Sequence, residues 1–162
     1  LVPSVERGVN HVCTEGVIAG CKVVDVKIDF YDGKMHPVDS NDMAFQIAGR
    51  HAFIDAVKSA KPKLLEPIYS IKVKIPDDVM GDIMGDISSR RGKVQGMETD
   101  GHFQVINAEV PMANLHDYAT ALKAMSSGRG MFTNEFSHYE DMPHIEAEKV
   151  ISEWETARAA GE

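Results

Sequence analysis

The stretch DFYDGKMHPVDSNDMAF, residues 29–45, sets a single histidine, His36, between Met35 and Pro37 at the crest of a turn. A neutral imidazole both donates and accepts a hydrogen bond, so a histidine held at the end of an arm can read a polar partner. The plainer reading is a polar residue tolerated on an exposed turn. A second group lies in SSRRGKVQGME, residues 88–98, where Arg90, Arg91 and Lys93 converge at a helix-to-strand turn. Two guanidinium groups and an ammonium there suit phosphate contact; helix capping plus a lysine at a strand edge explains the same residues without a ligand. SSGRG, residues 126–130, offers Arg129 between flexible glycines as a further anion contact.

Catalytic chemistry finds little support. The chain has no Walker A motif, no GxGxxG and no GxSxG,. Its seven histidines show neither HxxxH nor HExxH spacing, and Cys13 and Cys21 lack the nearby ligands a zinc site needs,. The two cysteines read as reduced thiols of a cytosolic protein. Asp77, Asp78, Asp82 and Asp86 read as a solvated helix start. Neither a catalytic residue nor a metal site is assigned.

Composition narrows the class further. At 162 residues the chain fits one or two small domains, and 43% hydrophobic with 26% charged content is ordinary for a globular protein,. No apolar run approaches the ~20 residues that cross a bilayer, and no membrane partner is expected. The net charge of −8 speaks against a general nucleic-acid binder,. Its distribution is uneven. Residues 1–62 carry 7 basic against 8 acidic side chains, residues 63–138 carry 8 against 10, and residues 139–162 carry 2 against 7. The acidity concentrates in the tail, which leaves room for a local basic patch elsewhere.

The elements that would position these residues follow from periodicity. Pro3 and Ser4 open a helix with Val5, Val9 and Val12 on one face, and Gly16 caps its end,. Val24, Val26, Ile28 and Phe30 alternate with charged residues, which predicts a half-buried strand over 21–32,. Asp32-Gly33 begins the turn, and Asp39 or Ser40 caps a helix over 41–60. One strand cannot satisfy its own backbone groups. The first 62 residues therefore read as a truncated helix–strand–helix domain, completed by upstream sequence or by another molecule. KPKLLEPIYS, residues 61–70, marks the boundary.

Residues 63–138 then follow the order β-α-β-β-α-β: a strand through Ile71, Val73 and Ile75, and a helix through Val79, Ile83 and Ile87. A hairpin around Asp100-Gly101, a helix through Leu115, Tyr118, Leu122 and Met125, and a strand over 131–138 complete it,. This is the ferredoxin-like arrangement, two helices on one face of a four-stranded antiparallel sheet. The fold class is α+β. The expected core holds Ile71, Val73, Ile83, Leu122 and Phe136. Gly81 and Gly85, one turn apart in VMGDIMGDI, imply either close packing of that helix on the sheet or a helix face open to a partner's backbone,. Residues 139–162 form an acidic tail with a helix over 143–159, held by Ile151 and Trp154.

Three segments bear a family likeness. GVIAGCKVVDVKIDFYDGKMHPVDSNDMAFQIAGRHAF, LLEPIYSIKVKIPDDVMGDIMGDISSRRGKVQGME and YATALKAMSSGRGMFTNEFSHYE strongly resemble the C-terminal part of bacterial elongation factor G. Residues 1–62 are similar to the second part of that family's fourth domain, and residues 63–138 to its fifth. The family's GTP-binding domain, its second and third domains and the first strands of its fourth domain have no counterpart here. Pro37 stands where many members carry an acidic residue.

The resemblance implies a ribosome-binding arm that promotes tRNA–mRNA translocation in the cytoplasm. Its partners would be rRNA, the tRNA–mRNA duplex and ribosomal proteins. His36 falls on the family's tip histidine, with Lys34, Asp39 and Ser40 beside it at the decoding region. Arg90, Arg91, Lys93 and Arg129 would face large-subunit rRNA. No cofactor is expected in this chain; GTP and magnesium belong to the absent GTPase domain. Two other functions share these features: a paralogue acting in ribosome recycling or protection, and a ferredoxin-like module that binds a small regulatory ligand.

Overall fold

A computed structural model describes residues 1–161. In chain order its elements are α1 (Val2–Glu15), α2 (Asp42–Ser59), β1 (Leu65–Pro76), α3 (Met80–Ser89), β2 (Lys93–Asp100), β3 (Phe103–Pro111), α4 (Tyr118–Met125), β4 (Met131–Asp141) and α5 (His144–Ala160). Short 3-10 turns at Asp77–Val79 and Met112–Asn114 lead into α3 and α4. Two compact units result: residues 64–142, and residues 1–63 together with the chain from Pro143 onward.

In the unit 64–142 the four strands form one antiparallel sheet in the order β2-β3-β1-β4. With α3 and α4 as the crossovers, this is the expected split β-α-β-β-α-β topology. Alternation sets the core. Ile71, Val73 and Ile75 of β1 and Ile106, Ala108 and Val110 of β3 turn one face inward, where Ile83, Ile87, Tyr118 and Leu122 cover it,. The hairpin turns at Gly101, whose φ of 64° suits glycine,. β1 starts within the segment read as a boundary and accommodates Pro67, which pairs with Tyr139 of β4.

Two expectations for this unit are corrected. Phe136 is 50% exposed. The phenylalanine of β4 that meets the helices is Phe132, its ring 4.9 Å from that of Tyr118 at the start of α4. Phe136, on the same edge strand, has no helix aromatic against its ring among the described residues. Phe136 instead contacts Tyr69 and Tyr139. Gly81 and Gly85 are not close-packing glycines either. A Cβ at each would meet nothing within 4 Å. The glycine that closeness does require is Gly92, where a Cβ would fall 2.5 Å from Ile87 Cγ2 and 2.7 Å from the Ile87 carbonyl oxygen.

The unit containing residues 1–63 is built on the pairing of α1 with α2. Val9, Val12 and Phe53 form its buried centre, with Val5, Val23, Ile54 and Val57 against them. A Cβ on Gly8 would lie 2.1 Å from the Gln46 carbonyl oxygen, so only glycine permits this approach of the two helices. Arg7, Ser4 and Gln46 all donate to the Asp42 carboxylate and tie the helix starts together. These bonds, Ser4 first, hold Asp42 below its ordinary carboxylate pKa,. In α5 Ile151 and Trp154 are half-buried, and the Trp154 ring lies over Gly20.

The strand expected over 21–32 does not form. Between residues 21 and 35 the one backbone–backbone hydrogen bond among the described residues runs from the Val23 N–H to the Cys13 carbonyl, 2.8 Å. Asp25 has a φ of 56°, which breaks the extended run,. Val24, Val26, Ile28 and Phe30 remain 47–50% exposed. The apolar alternation is present in the sequence; no neighbouring strand among the described residues pairs with it,. α2 also begins one or two residues later than the predicted caps. Its N-cap is Asn41, whose side chain accepts the Ala44 N–H at 2.8 Å.

Candidate functional site

Asp39 and Ser40, released from capping, shape the His36 turn. The His36 N–H donates to Ser40 Oγ at 2.7 Å, and the Ser40 N–H returns to the His36 carbonyl at 3.1 Å. These reciprocal bonds close residues 36–40 into a ring directly before Asn41 and α2. Asp39 Oδ2 lies 3.3 Å from His36 Nδ1, and the Val38 N–H approaches that nitrogen at 3.5 Å. Nδ1 is thus engaged within the turn, while the side chain as a whole stays largely exposed. Nε2 has no partner among the described residues, which makes it the ring nitrogen available to a partner,. Pro37 limits the backbone beside it. Gly33 N–H donates to Asp32 Oδ1 at 2.8 Å, which sets the bend before Lys34, an exposed cation two positions from His36. The turn, Ile28 and Phe30 border a mainly apolar cleft of about 710 Å³ against α1 and α2.

The turn at residues 90–93 has a different character. α3 closes in a Schellman motif: the Gly92 N–H bonds the Ile87 carbonyl at 2.9 Å and the Arg91 N–H bonds that of Ser88 at 3.2 Å,. The left-handed residue is Arg91, with φ 60°, rather than Gly92. That conformation costs a non-glycine residue roughly 1 kcal/mol. It aims the Arg91 guanidinium at the buried Glu66, with both nitrogens 2.9 Å from the two carboxylate oxygens. The bidentate pairing offsets the cost.

Arg90 turns inward as well. It donates to Asp86 at 2.8 Å, to the Asn114 carbonyl at 2.7 Å and to Asp117 at 2.6 Å, and its guanidinium lies 5.1 Å from the Tyr118 ring centroid. Burial opposes its charge, but the two carboxylates outweigh that and raise its pKa. Arg90 in turn holds the Asp117 carboxyl below its ordinary range. Burial, with Asp86 adding, pushes Tyr118 up to about 12.

Asp86 is therefore the ion-pair partner of Arg90 and not part of a merely solvated helix start. Its i−4 spacing was a readable signal. Glu66 and Asp117 lie 25 and 27 residues from their arginines and carried none. Lys93 is exposed at the start of β2. Arg129 donates to the Ser126 carbonyl at 3.1 Å and to Asp78 at 3.0 Å, so the 126–130 turn is braced by the protein itself.

Four of the five helices among the described residues carry negative charge at their starts, α1 being the exception. α2, α3 and α5 carry Asp42, Asp82 and Glu146 in their first turns, and Asp117 precedes α4. Negative charge at those positions repels an anion from the dipole end that would otherwise hold it. No helix of the described residues is long and apolar enough to cross a membrane.

Comparison with known proteins gives these residues a setting. The family model described as "Elongation factor G, domain IV" matches residues 1–61, and that described as "Elongation factor G C-terminus" matches residues 63–150. Elongation factor G of Aquifex pyrophilus is 49% identical over 152 residues, which is 94% of this chain and 22% of that protein. A crystal structure from Thermus thermophilus superposes with a TM-score of 0.82 at 41% identity, covering 96% of this chain and 24% of the other. The chain thus spans about a quarter or less of the relatives it matches. It belongs to the elongation factor G family and carries that family's domain IV and C-terminal stretches.

Proposed function

We propose that this chain is the ribosome-contacting C-terminal part of a translation elongation factor that promotes tRNA–mRNA translocation. The observation that carries the reading is the unbroken succession of two elongation factor G stretches, with the exposed His36 turn inside the first. In this reading His36 Nε2 makes one hydrogen bond to a backbone or ribose group of the tRNA–mRNA duplex, and a ribose 2′-OH can serve either tautomer because it donates and accepts. Lys34 adds charge beside it, and Asp39 and Ser40 hold the turn. Lys93 is the cation presented to large-subunit rRNA, while Arg90, Arg91 and Arg129 keep the turns beneath that surface in shape. In this reading GTP and magnesium are handled by the family's GTPase domain and not by the residues described here. The working compartment is the cytoplasm.

Co-sedimentation of the purified chain with ribosomes, over a series of salt concentrations, tests this reading. Binding that weakens as salt rises is expected from contacts to phosphate. Failure to pellet with ribosomes, combined with a thermal shift on adding a small ligand, would instead favour the regulatory-module reading.

A further inference from the structure

The sheet in residues 64–142 holds one more arrangement with chemical content. β4 contains a bulge: His138 pairs with Ile68 and Phe136 with Tyr69, so Ser137 is the extra residue. Without it, His138 would follow Phe132, Asn134 and Phe136 onto the helix-covered face. The bulge turns His138 and then Glu140 to the opposite face. Glu109 of β3 lies there too, between the inward Ala108 and Val110. One donor atom from each of Glu109, His138 and Glu140 falls within 4.8 Å of the others, and all three residues are half-buried. His138 Nε2 is already 2.8 Å from Glu140 Oε1.

We propose that Glu109, His138 and Glu140 form a binding site for a divalent first-row transition cation, with zinc the best match. The donor set is one imidazole and two carboxylates, borderline ligands that zinc accepts in a four-coordinate site whose fourth position is water. Tetrahedral bonds of about 2.1 Å place ligand atoms about 3.4 Å apart. The donor atoms, within 4.8 Å of one another, need to close by little more than about 1 Å to reach that spacing, a shift of the size that side-chain torsions supply,. The second ring nitrogen is supported: Ser137 Oγ lies 2.8 Å from His138 Nδ1. A hydroxyl serves both states of the ring. It donates to Nδ1 while Nε2–H points at Glu140, and it accepts from Nδ1–H once Nε2 holds the metal. The bulge supplies this serine as well as the new direction of the histidine. Bound metal would join β3 to β4 across β1, and Lys93 beside Glu140 is the positive charge it must compete with.

Zinc titration of the EDTA-stripped 162-residue chain by isothermal calorimetry tests the site, with cobalt absorption reporting ligand geometry. One equivalent should bind, and His138→Gln and Glu109→Gln should each weaken binding by at least about 10-fold. His144→Gln removes an exposed histidine 2.9 Å from Glu148 and should change nothing. Circular dichroism in chelator verifies each variant's fold; if His138→Gln does not fold, Glu109→Gln decides. Absence of stoichiometric zinc binding, or binding lost in His144→Gln and retained in the folded site variants, would overturn the proposal and leave an ordinary ion pair.

Discussion

Ile71, Val73 and Ile75 alternate with lysines much as Val24, Val26 and Ile28 alternate with charged residues, yet the first set is buried and the second half-exposed. Both stretches satisfy the same sequence rule. They differ in neighbours: β1 has β3 on one side and β4 on the other, while residues 21–35 have no paired strand among the described residues. Alternation therefore specifies which side chains share a face; burial depends on a second strand, which local sequence does not encode. The polar residues divide similarly. Arg90 and Arg91 are paired with carboxylates of the same unit, whereas the His36 turn engages Nδ1 internally and leaves the side chain largely exposed.

The sharpest way to break this comparison is to remove methyl groups from both units. Ile83→Ala should destabilise by about 2–5 kcal/mol, because Ile83 is fully buried between α3 and the sheet,. Ile28→Ala should stay within about 0.5 kcal/mol, the usual range for a surface change. Urea midpoints at matched slope measure both. Equal losses would mean that the 21–32 segment is packed in solution.

A smaller effect is expected from the polar network. Glu66→Gln replaces the buried carboxylate that the Arg91 guanidinium, itself about one-third exposed, grips with two hydrogen bonds. A loss of about 1–3 kcal/mol follows, discounted for that exposure. The network also carries a pH signature. Arg90 depresses the folded-state pKa of Asp117, so its contribution is present above the ordinary carboxyl value of 3.8 and lost as pH falls through the depressed one,. Asp117→Asn should remove that part of the acid dependence. An unchanged acid titration would show that the pairing does not hold in solution.

Much of the sheet was legible because its signals are local. Strand alternation, the Asp100-Gly101 hairpin and the i, i+4 helix faces lie within a few residues, and they recovered the element order. The cap of α2 was missed because Asp39, Ser40 and Asn41 are all good cap residues. Spacing cannot choose among them; the His36–Ser40 ring does, by engaging two of the three. Arg90 and Arg91 resembled a phosphate cradle because their partners Asp117 and Glu66 are distant in sequence. Phe136 and Phe132 have the same parity on one strand, and only their tertiary neighbours tell them apart: Tyr118 of α4 meets Phe132, whereas Phe136 meets Tyr69 and Tyr139.

The most direct test of the account concerns His36 in the full-length factor. One hydrogen bond lost from Nε2 is worth ~1–2 kcal/mol, equivalent to about 5–30-fold in rate if the contact belongs to the translocation transition state. Rapid kinetics on ribosome complexes can follow tRNA–mRNA movement and GTP hydrolysis side by side. The account predicts that His36→Ala slows movement by that factor while GTP hydrolysis keeps its wild-type rate. Wild-type rates for both, or an equal fall in both, would contradict it.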